Sequence, residues 1–377
     1  MTPAYDAIIL GAGIVGAACA MELAQAGMRV AIVEPGVIGG GATGAGMGHI
    51  VVMDDSPAQL ALTHHSQQLW DALAPKLPAA VEYETTGTIW VATHSREMEE
   101  VARKQALYTA HGIPVRTLDT AALLREEPNL RPGLAGGLLV PSDAVLYPPS
   151  AADYLLQHAL QSGATIIPHA ATHAAEGKVR LDSGGTIAAL RIINALGASA
   201  ASITPGLPVH PRKGHLVITD RAPGFARRQL VELGYVRSAG SGTTDCVAFN
   251  VQPRKTGQVL IGSSRQYNAI SNSIDYDILQ RMLQQARAYI PALDHLSVIR
   301  TWTGFRAATP DKLPLIGPHH ADPTLYLATG HEGLGITTAL ATGRLLRAIL
   351  TGTNPFIPIE PYLPARSFTP QPENAHA

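Results

Sequence analysis

Cysteine is almost missing from this chain: Cys19 and Cys246 are the only two among 377 residues. Two isolated thiols support neither a disulfide framework nor a four-cysteine iron–sulfur cluster. Charge is scarce as well. Asp, Glu, Lys and Arg make up 15%, against about a quarter in ordinary soluble chains, so much of the protein is expected to be buried, in its own core or under partner chains. The charges nearly cancel, at a formal net of −1, which argues against nucleic acid as a partner, since a basic patch would be needed. No run of about 18 apolar residues occurs, and no basic segment with an apolar run precedes the first motif at Gly11. A cytoplasmic location is expected, with membrane contact only peripheral and through partners. No internal repeat, Ser/His/Asp constellation or metal-ligand spacing is visible, and His64–His65 and His319–His320 read as surface pairs. With 46% apolar residues, the chain can still bury one large core or two smaller ones.

Glycine, by contrast, is placed with a pattern. "YDAIILGAGIVGAACAMELAQAGMRVAIVE" reads as strand, turn, helix, strand, with an apolar run from Ala7 to Leu10 and a helix that ends at Gly27. Gly11, Gly13 and Gly16 fit G-x-G-x-x-G, and Glu34 follows 18 residues after Gly16. In this setting the motif is a dinucleotide fingerprint. Gly11 makes the tight turn, Gly13 admits a pyrophosphate, and Gly16 lets helix and strand approach. Ile14 and Val15 open the helix, whose unpaired N–H groups and positive dipole end suit phosphates. Glu34 suits ribose hydroxyls, with Pro35 beside it. A nicotinamide dehydrogenase shares this turn, but that reading leaves the adjoining segment without a task. "PGVIGGGATGAGMGHIVV" carries seven glycines from Gly36 to Gly48. Such a small-residue segment, through Ala42, Thr43, Gly46, Met47 and Gly48, suits close contact with a flavin more than a solvated linker.

A second glycine turn lies near the other end. In "ATGHEGLGIT", Gly330, Gly333 and Gly335 precede a long apolar helical pattern. If the first turn holds a pyrophosphate, the second can aim its helix N-terminus, through Gly333, Leu334, Gly335 and Ile336, at the flavin pyrimidine edge, where a reduced flavin carries negative charge. His331 is expected to cap that helix start. Between the turns, "GTIAALRIINALGASAASI" supplies a strand from Ala188 to Asn194 and a turn at Gly197. "SGATIIPHAATHAA" supplies a helix end and a strand around Thr172. These pieces can extend the sheet begun near residue 7. "HLVITD" and "CVAFNVQPRKTGQVLIGSS" read as further strands, the latter a hairpin through Pro-Arg-Lys-Thr-Gly. "YDILQRMLQQARAYIP" reads as a helix ending at Pro291, and "PARSFTPQPENAHA" as a mobile tail.

Four segments, "GAGIVG…E" (11–34), "GAGMG" (44–48), "INALGA" (193–198) and "WTGFRAATPDKLPLIGP…LATGHEGLGI" (302–336), resemble the D-amino-acid oxidase superfamily. The likeness is to its branch of glycine oxidases, sarcosine oxidases and catalytic β subunits of multi-subunit amine dehydrogenases. "GGGATGAGMGHIVVMDDS" and "ATGHEGLGITTALATGRLL" look most like D-hydroxyproline dehydrogenase and opine oxidase β subunits. The resemblance implies an α/β fold: a discontinuous Rossmann-like domain for non-covalent FAD (1–80, 145–205, 305–377) and a substrate domain with a mixed or antiparallel sheet (81–144, 206–304). It also implies that Arg306 grips the substrate carboxylate, in keeping with a guanidinium's bidentate pairing; a structural arginine is the rival reading. The relatives' sheet tyrosine falls at Asn250, and a basic residue that some of them carry falls at Gly333. Both departures leave room for a substrate larger than glycine or sarcosine.

Hydride transfer from the α-carbon of D-hydroxyproline or D-proline to flavin N5 is therefore expected. The alternatives are opine oxidation and a non-catalytic electron-relay role. His49 is expected to line the substrate pocket, take the amine proton or set the flavin's tilt, and Tyr147 to enter the cleft. The partners implied by the resemblance are a larger FAD-bearing α subunit and a small iron–sulfur subunit.

Overall fold

The strand Tyr5–Leu10 lies between Val30–Val33 and Thr186–Asn194, parallel to both. In the computed structural model, which describes residues 4–234, 245–267 and 269–368, this trio is the middle of the first sheet. Thr165–Ile167 extends it beyond Val30–Val33, and Leu325–Thr329 beyond Thr186–Asn194, both in parallel. Leu315–Pro318 closes that edge antiparallel. Buried on both faces, the central strands carry runs of Ile, Val and Leu rather than alternation. Ala171–Ala175 and Lys178–Leu181 form an antiparallel flap that continues from Thr186–Asn194.

The helix Ile14–Gln25 returns across this sheet and packs against the last helix, Gly335–Thr351. Small residues allow their close crossing. A Cβ on Gly343 would stand 2.8 Å from the Ala18 carbonyl oxygen and 2.9 Å from its carbon, so only glycine fits. Gly16 makes the matching contact to the strand, since its Cβ would lie 2.0 Å from Gly11 O. Helix Pro148–Gln161 completes this core with Leu155 and Leu156.

The second sheet orders its strands as Val298–Ala308, His210–Thr219, Val259–Arg265, Cys246–Pro253, Gln229–Glu232, Thr88–Ala92, Gly136–Val140 and Arg116–Asp119. Only Gln229–Glu232 against Thr88–Ala92 is parallel. Helix Tyr276–Tyr289 covers one face, where Tyr289 stacks on Phe249 with ring centroids 4.1 Å apart. The expected hairpin loop joins Cys246–Pro253 to Val259–Arg265. A two-stranded ribbon, His49–Ile50 with Ala144–Val145, bridges the layers. The division anticipated at 304/305 falls inside Val298–Ala308, which runs unbroken from the second sheet towards the first. The anticipated mobile tail is also corrected in part. Residues 369–377 lie outside the described residues, but Arg366 is half-buried and donates to Asp311 at 2.7 and 2.9 Å. Among the described residues, no helix is long and apolar enough to cross a membrane, and no three His, Cys, Asp or Glu side chains could hold a metal.

Candidate active site

Both glycine turns open onto one cavity of about 660 Å³. Gly11, Gly13, Ile14 and Val15 line it from the first turn, and His331, Gly333, Leu334, Gly335 and Ile336 from the second. The two turns touch: a Cβ on Gly335 would sit 3.7 Å from Val15 Cγ2. The Gly343 crossing thus brings two helix N-termini, remote in sequence, to one space. Neither N-terminus has a cap from its own N-cap residue, Gly13 or Leu334. At the first, the hydroxyl of Thr43 accepts from Ile14 N (3.0 Å). The second is braced from behind, where Trp70 Nε1 and Ser66 Oγ donate to Thr337 O (3.0 and 2.6 Å).

Glu34 lines the same cavity. Its carboxylate accepts from Ala12 N and Gly36 N, both at 2.9 Å, which fixes its direction while leaving lone pairs for hydroxyl donors. The glycine-rich segment is packed, not a linker. A Cβ on Gly46 would stand 2.7 Å from Ile336 Cδ1, and one on Gly48 1.9 Å from Leu146 O. Trp302 Nε1 donates to Ala45 O (3.2 Å), and Gln252 Nε2 to Met47 O (2.7 Å). Ala42, Thr43, Gly46, Met47, Gly48 and Gly197 all face the cavity.

Four expected residues do not. Gly16 sits behind the wall, at the helix–strand contact. Pro35 points outward and is exposed. Thr172 lies on the antiparallel flap, exposed, with its hydroxyl donating to Arg180 O (3.2 Å). Tyr147 is 38% exposed just before helix Pro148–Gln161, with the Arg254 guanidinium 4.8 Å from its ring centre. None of these four lines the cavity. His331 is no cap either. Its Nε2 bonds the Thr342 hydroxyl (2.9 Å), two turns into the helix, and burial pushes its pKa down to about 3.

Arg306 reaches the cavity from Val298–Ala308 and donates to Ser264 O (2.9 Å). Its arm runs through a slot made by two glycines. A Cβ on Gly214 would lie 2.5 Å from Arg306 Nη1, and one on Gly333 3.3 Å from its Nε. The space at Gly333, expected to be left for substrate, is therefore filled by Arg306. Sequence reasoning missed Gly214, although a glycine inside a strand signals close approach. It also missed Arg265, Lys312 and Glu332 on the cavity wall. Glu332, held in left-handed backbone (φ 51), pairs with Arg212 at 2.9 Å and lies 3.7 Å from Arg265. Arg306 and Arg265 thus place two guanidiniums at this end of the cavity, with the Glu332 carboxylate beside Arg265.

His49 and Asn250 line the same cavity, within reach of the Arg306 charge. His49 Nδ1 bonds Gln229 Oε1, and its Nε2 lies 3.3 Å from Asn250 Nδ2. Burial, followed by the Arg306 charge and opposed by the Gln229 bond, brings its pKa down to about 4. Neutral near pH 7 and engaged at both ring nitrogens, His49 is not placed to take an amine proton.

Two converging helix N-termini, a directed carboxylate after the second strand and a glycine-lined chamber between two sheets define a dinucleotide-cofactor oxidoreductase, and the donors fit FAD: amides for the diphosphate, Glu34 for the ribose, and the last helix for an anionic ring edge. Comparison with known proteins agrees. The profile described as "FAD dependent oxidoreductase" matches residues 6–349, and the chain belongs to that family. Glycine oxidase of Geobacillus kaustophilus is 29% identical over 92% of this chain and 93% of its own. Its crystal structure superposes with a TM-score of 0.87, at 26% identity, covering 97% of this chain and 99% of that one. The hydrogen cyanide synthase subunit HcnC of Pseudomonas aeruginosa is 29% identical over 99% of this chain and 98% of its own.

Proposed function

We propose that this chain oxidises an amino or imino acid at its α-carbon, with D-hydroxyproline or D-proline as substrate, as the catalytic subunit of a multi-subunit dehydrogenase. The observation that carries the reading is the placement of Arg306 in the chamber onto which both helix N-termini open. FAD, held at its diphosphate by the first helix N-terminus and at its ribose by Glu34, would supply the hydride acceptor for the α-hydrogen. The protein's own part is orientation. Arg306, steadied by Ser264 O, holds the carboxylate. Asn250 and His49 bound the amine side as neutral groups, so the substrate enters without a charged base beside it. The named activity of the glycine oxidase relative supports amine oxidation. The HcnC relative is named as a subunit, and the low charge content supports covering partner chains; a larger FAD-bearing subunit and a small iron–sulfur subunit are the proposed ones.

A second reading rests on Arg265. With Arg306 it sets two guanidiniums on one cavity, as a substrate with two carboxylates, an opine, requires. Anaerobic addition of D-hydroxyproline, D-proline or an octopine-type opine to the purified flavoprotein is expected to bleach the visible flavin band. Arg306→Ala is expected to raise KM steeply for the same compound while the flavin stays bound. Absence of bleaching by all three removes the proposed function, and unchanged KM removes Arg306 from it.

A further inference from the structure

One row of hydrogen bonds runs from the protein backbone to the cavity with its polarity set at every link. Gln229 is fully buried and does not line the cavity. Its Nε2 donates to Ala144 O (2.9 Å), which leaves Oε1, and only Oε1, facing His49. An amide oxygen only accepts, so His49 Nδ1 carries the proton and Nε2 presents a lone pair. Asn250 must then turn its NH₂ towards Nε2, at 3.3 Å. Its Oδ1 is left over: it is buried, has no partner among the described residues, and belongs to a side chain that lines the cavity. A buried acceptor without a donor is costly unless a ligand supplies one.

The fold keeps these four groups in register. His49 and Ala144 lie on the two strands of one ribbon, His49 opposite Val145 and Ile50 opposite Ala144. Gln229 and Asn250 come from adjacent strands, with Val231 opposite Asn250. Thr337 Oγ1 donates to His49 O (2.9 Å), tying the ribbon to the start of the last helix.

We propose that Ala144 O, Gln229, His49 and Asn250 form a one-way relay that fixes Asn250 Oδ1 as the acceptor for the substrate's amine N–H. Gln229 is then a positioning residue for amine recognition, although it never meets the substrate. This rests on the amino-acid reading above and adds the group that selects nitrogen over oxygen at the α-position. The burial that keeps His49 neutral is part of the device. A charged imidazole would donate from Nε2, and Asn250 would turn its oxygen inward.

The test compares two planar ring acids of nearly equal shape, pyrrole-2-carboxylate with an N–H donor and 2-furoate with an oxygen acceptor. Both are titrated into the flavoprotein and followed by the flavin's visible spectrum. The wild-type protein is expected to bind the pyrrole acid roughly tenfold to a hundredfold more tightly, the cost of leaving a buried acceptor unpaired. Gln229→Met, of similar length, cuts the relay and is expected to bring that ratio near one while both acids still require Arg306. A general loosening of the site would weaken both acids together and leave the ratio alone. If Gln229→Met does not fold, His49→Leu breaks the same row one link further on, with the same expected loss of the ratio. A wild-type ratio near one, or a ratio that survives the relay variants, overturns the relay while leaving the amino-acid reading intact. If neither acid perturbs the flavin of the wild-type protein, the amino-acid reading and the relay fall together.

Discussion

Replacing Gly214 with alanine moves the substrate clamp without touching the chamber's wall of helix ends. The added methyl would lie 2.5 Å from Arg306 Nη1 and 3.1 Å from its Cζ, and 3.0 Å from Ser264 O. The nearest obstacle is thus the far end of a flexible side chain, and the guanidinium is what gives way. Arg306 then leaves its bond to Ser264 O and its aim into the cavity. A charge-assisted hydrogen bond is worth about 1.5–3 kcal/mol, so kcat/KM for a carboxylate substrate is expected to fall by about 10- to 150-fold. The loss is expected mainly in KM. Flavin absorbance and the melting temperature are expected to stay near wild type, because no helix end moves. Steady-state kinetics with the bleaching substrate, beside a thermal melt and a visible spectrum, make the measurement. Wild-type kcat/KM in Gly214→Ala would refute the slot as the feature that aims Arg306. Loss of flavin with the kinetics would refute the separation of clamp from cofactor.

Gly343→Ala is the contrasting case, since its methyl meets the Ala18 carbonyl at 2.8 Å and backbone cannot swing aside. Overpacking of about 1–3 kcal/mol is expected to lower the melting temperature measurably and to release flavin on dialysis; retention of both would show that the helix crossing has slack. Asp143 is fully buried and accepts from Val52 N (3.2 Å) and Gln67 Nε2 (2.8 Å), yet burial raises its pKa to about 7. The folded state therefore holds this proton more tightly than the unfolded chain, and its contribution to stability is lost as pH rises from the ordinary carboxyl range through about 7. Asp143→Asn is expected to remove up to about 3 kcal/mol of the stability difference between pH 5 and pH 8, seen in urea melts at the two pH values. An unchanged difference would mean that Asp143 titrates normally.

The parts of this site that could be read from sequence are those whose chemistry sits in one short stretch. G-x-G-x-x-G, the acid after the second strand and the later glycine turn each need only local spacing; Gly11, Gly13, Glu34, Gly333 and Gly335 face the chamber, while Gly16 packs behind its wall. Arg306 was legible through the motif around it. Gln229 was not, because its meaning depends on a carbonyl and an imidazole on two other strands. Gly333 was legible as a missing side chain, but only the folded chain shows that Arg306 fills the gap. Thr172 and Pro35 were misplaced for the opposite reason. Both adjoin genuine nucleotide-sheet strands, but the flap turns the first outward and the chain leaving Val30–Val33 exposes the second. Tyr147 leads into a helix and stays outside the chamber wall.

The Gly343 crossing also bears on when the protein can become active during its synthesis. The chamber needs residues 11–15 and residues 331–336 at once, and the latter are held only after the helix through Thr351 has docked on the first. Until that helix has been made, the early glycine turn offers only part of the binding site. A chain lacking Gly335–Thr351 is therefore expected to hold no flavin, even with its early glycine turn intact.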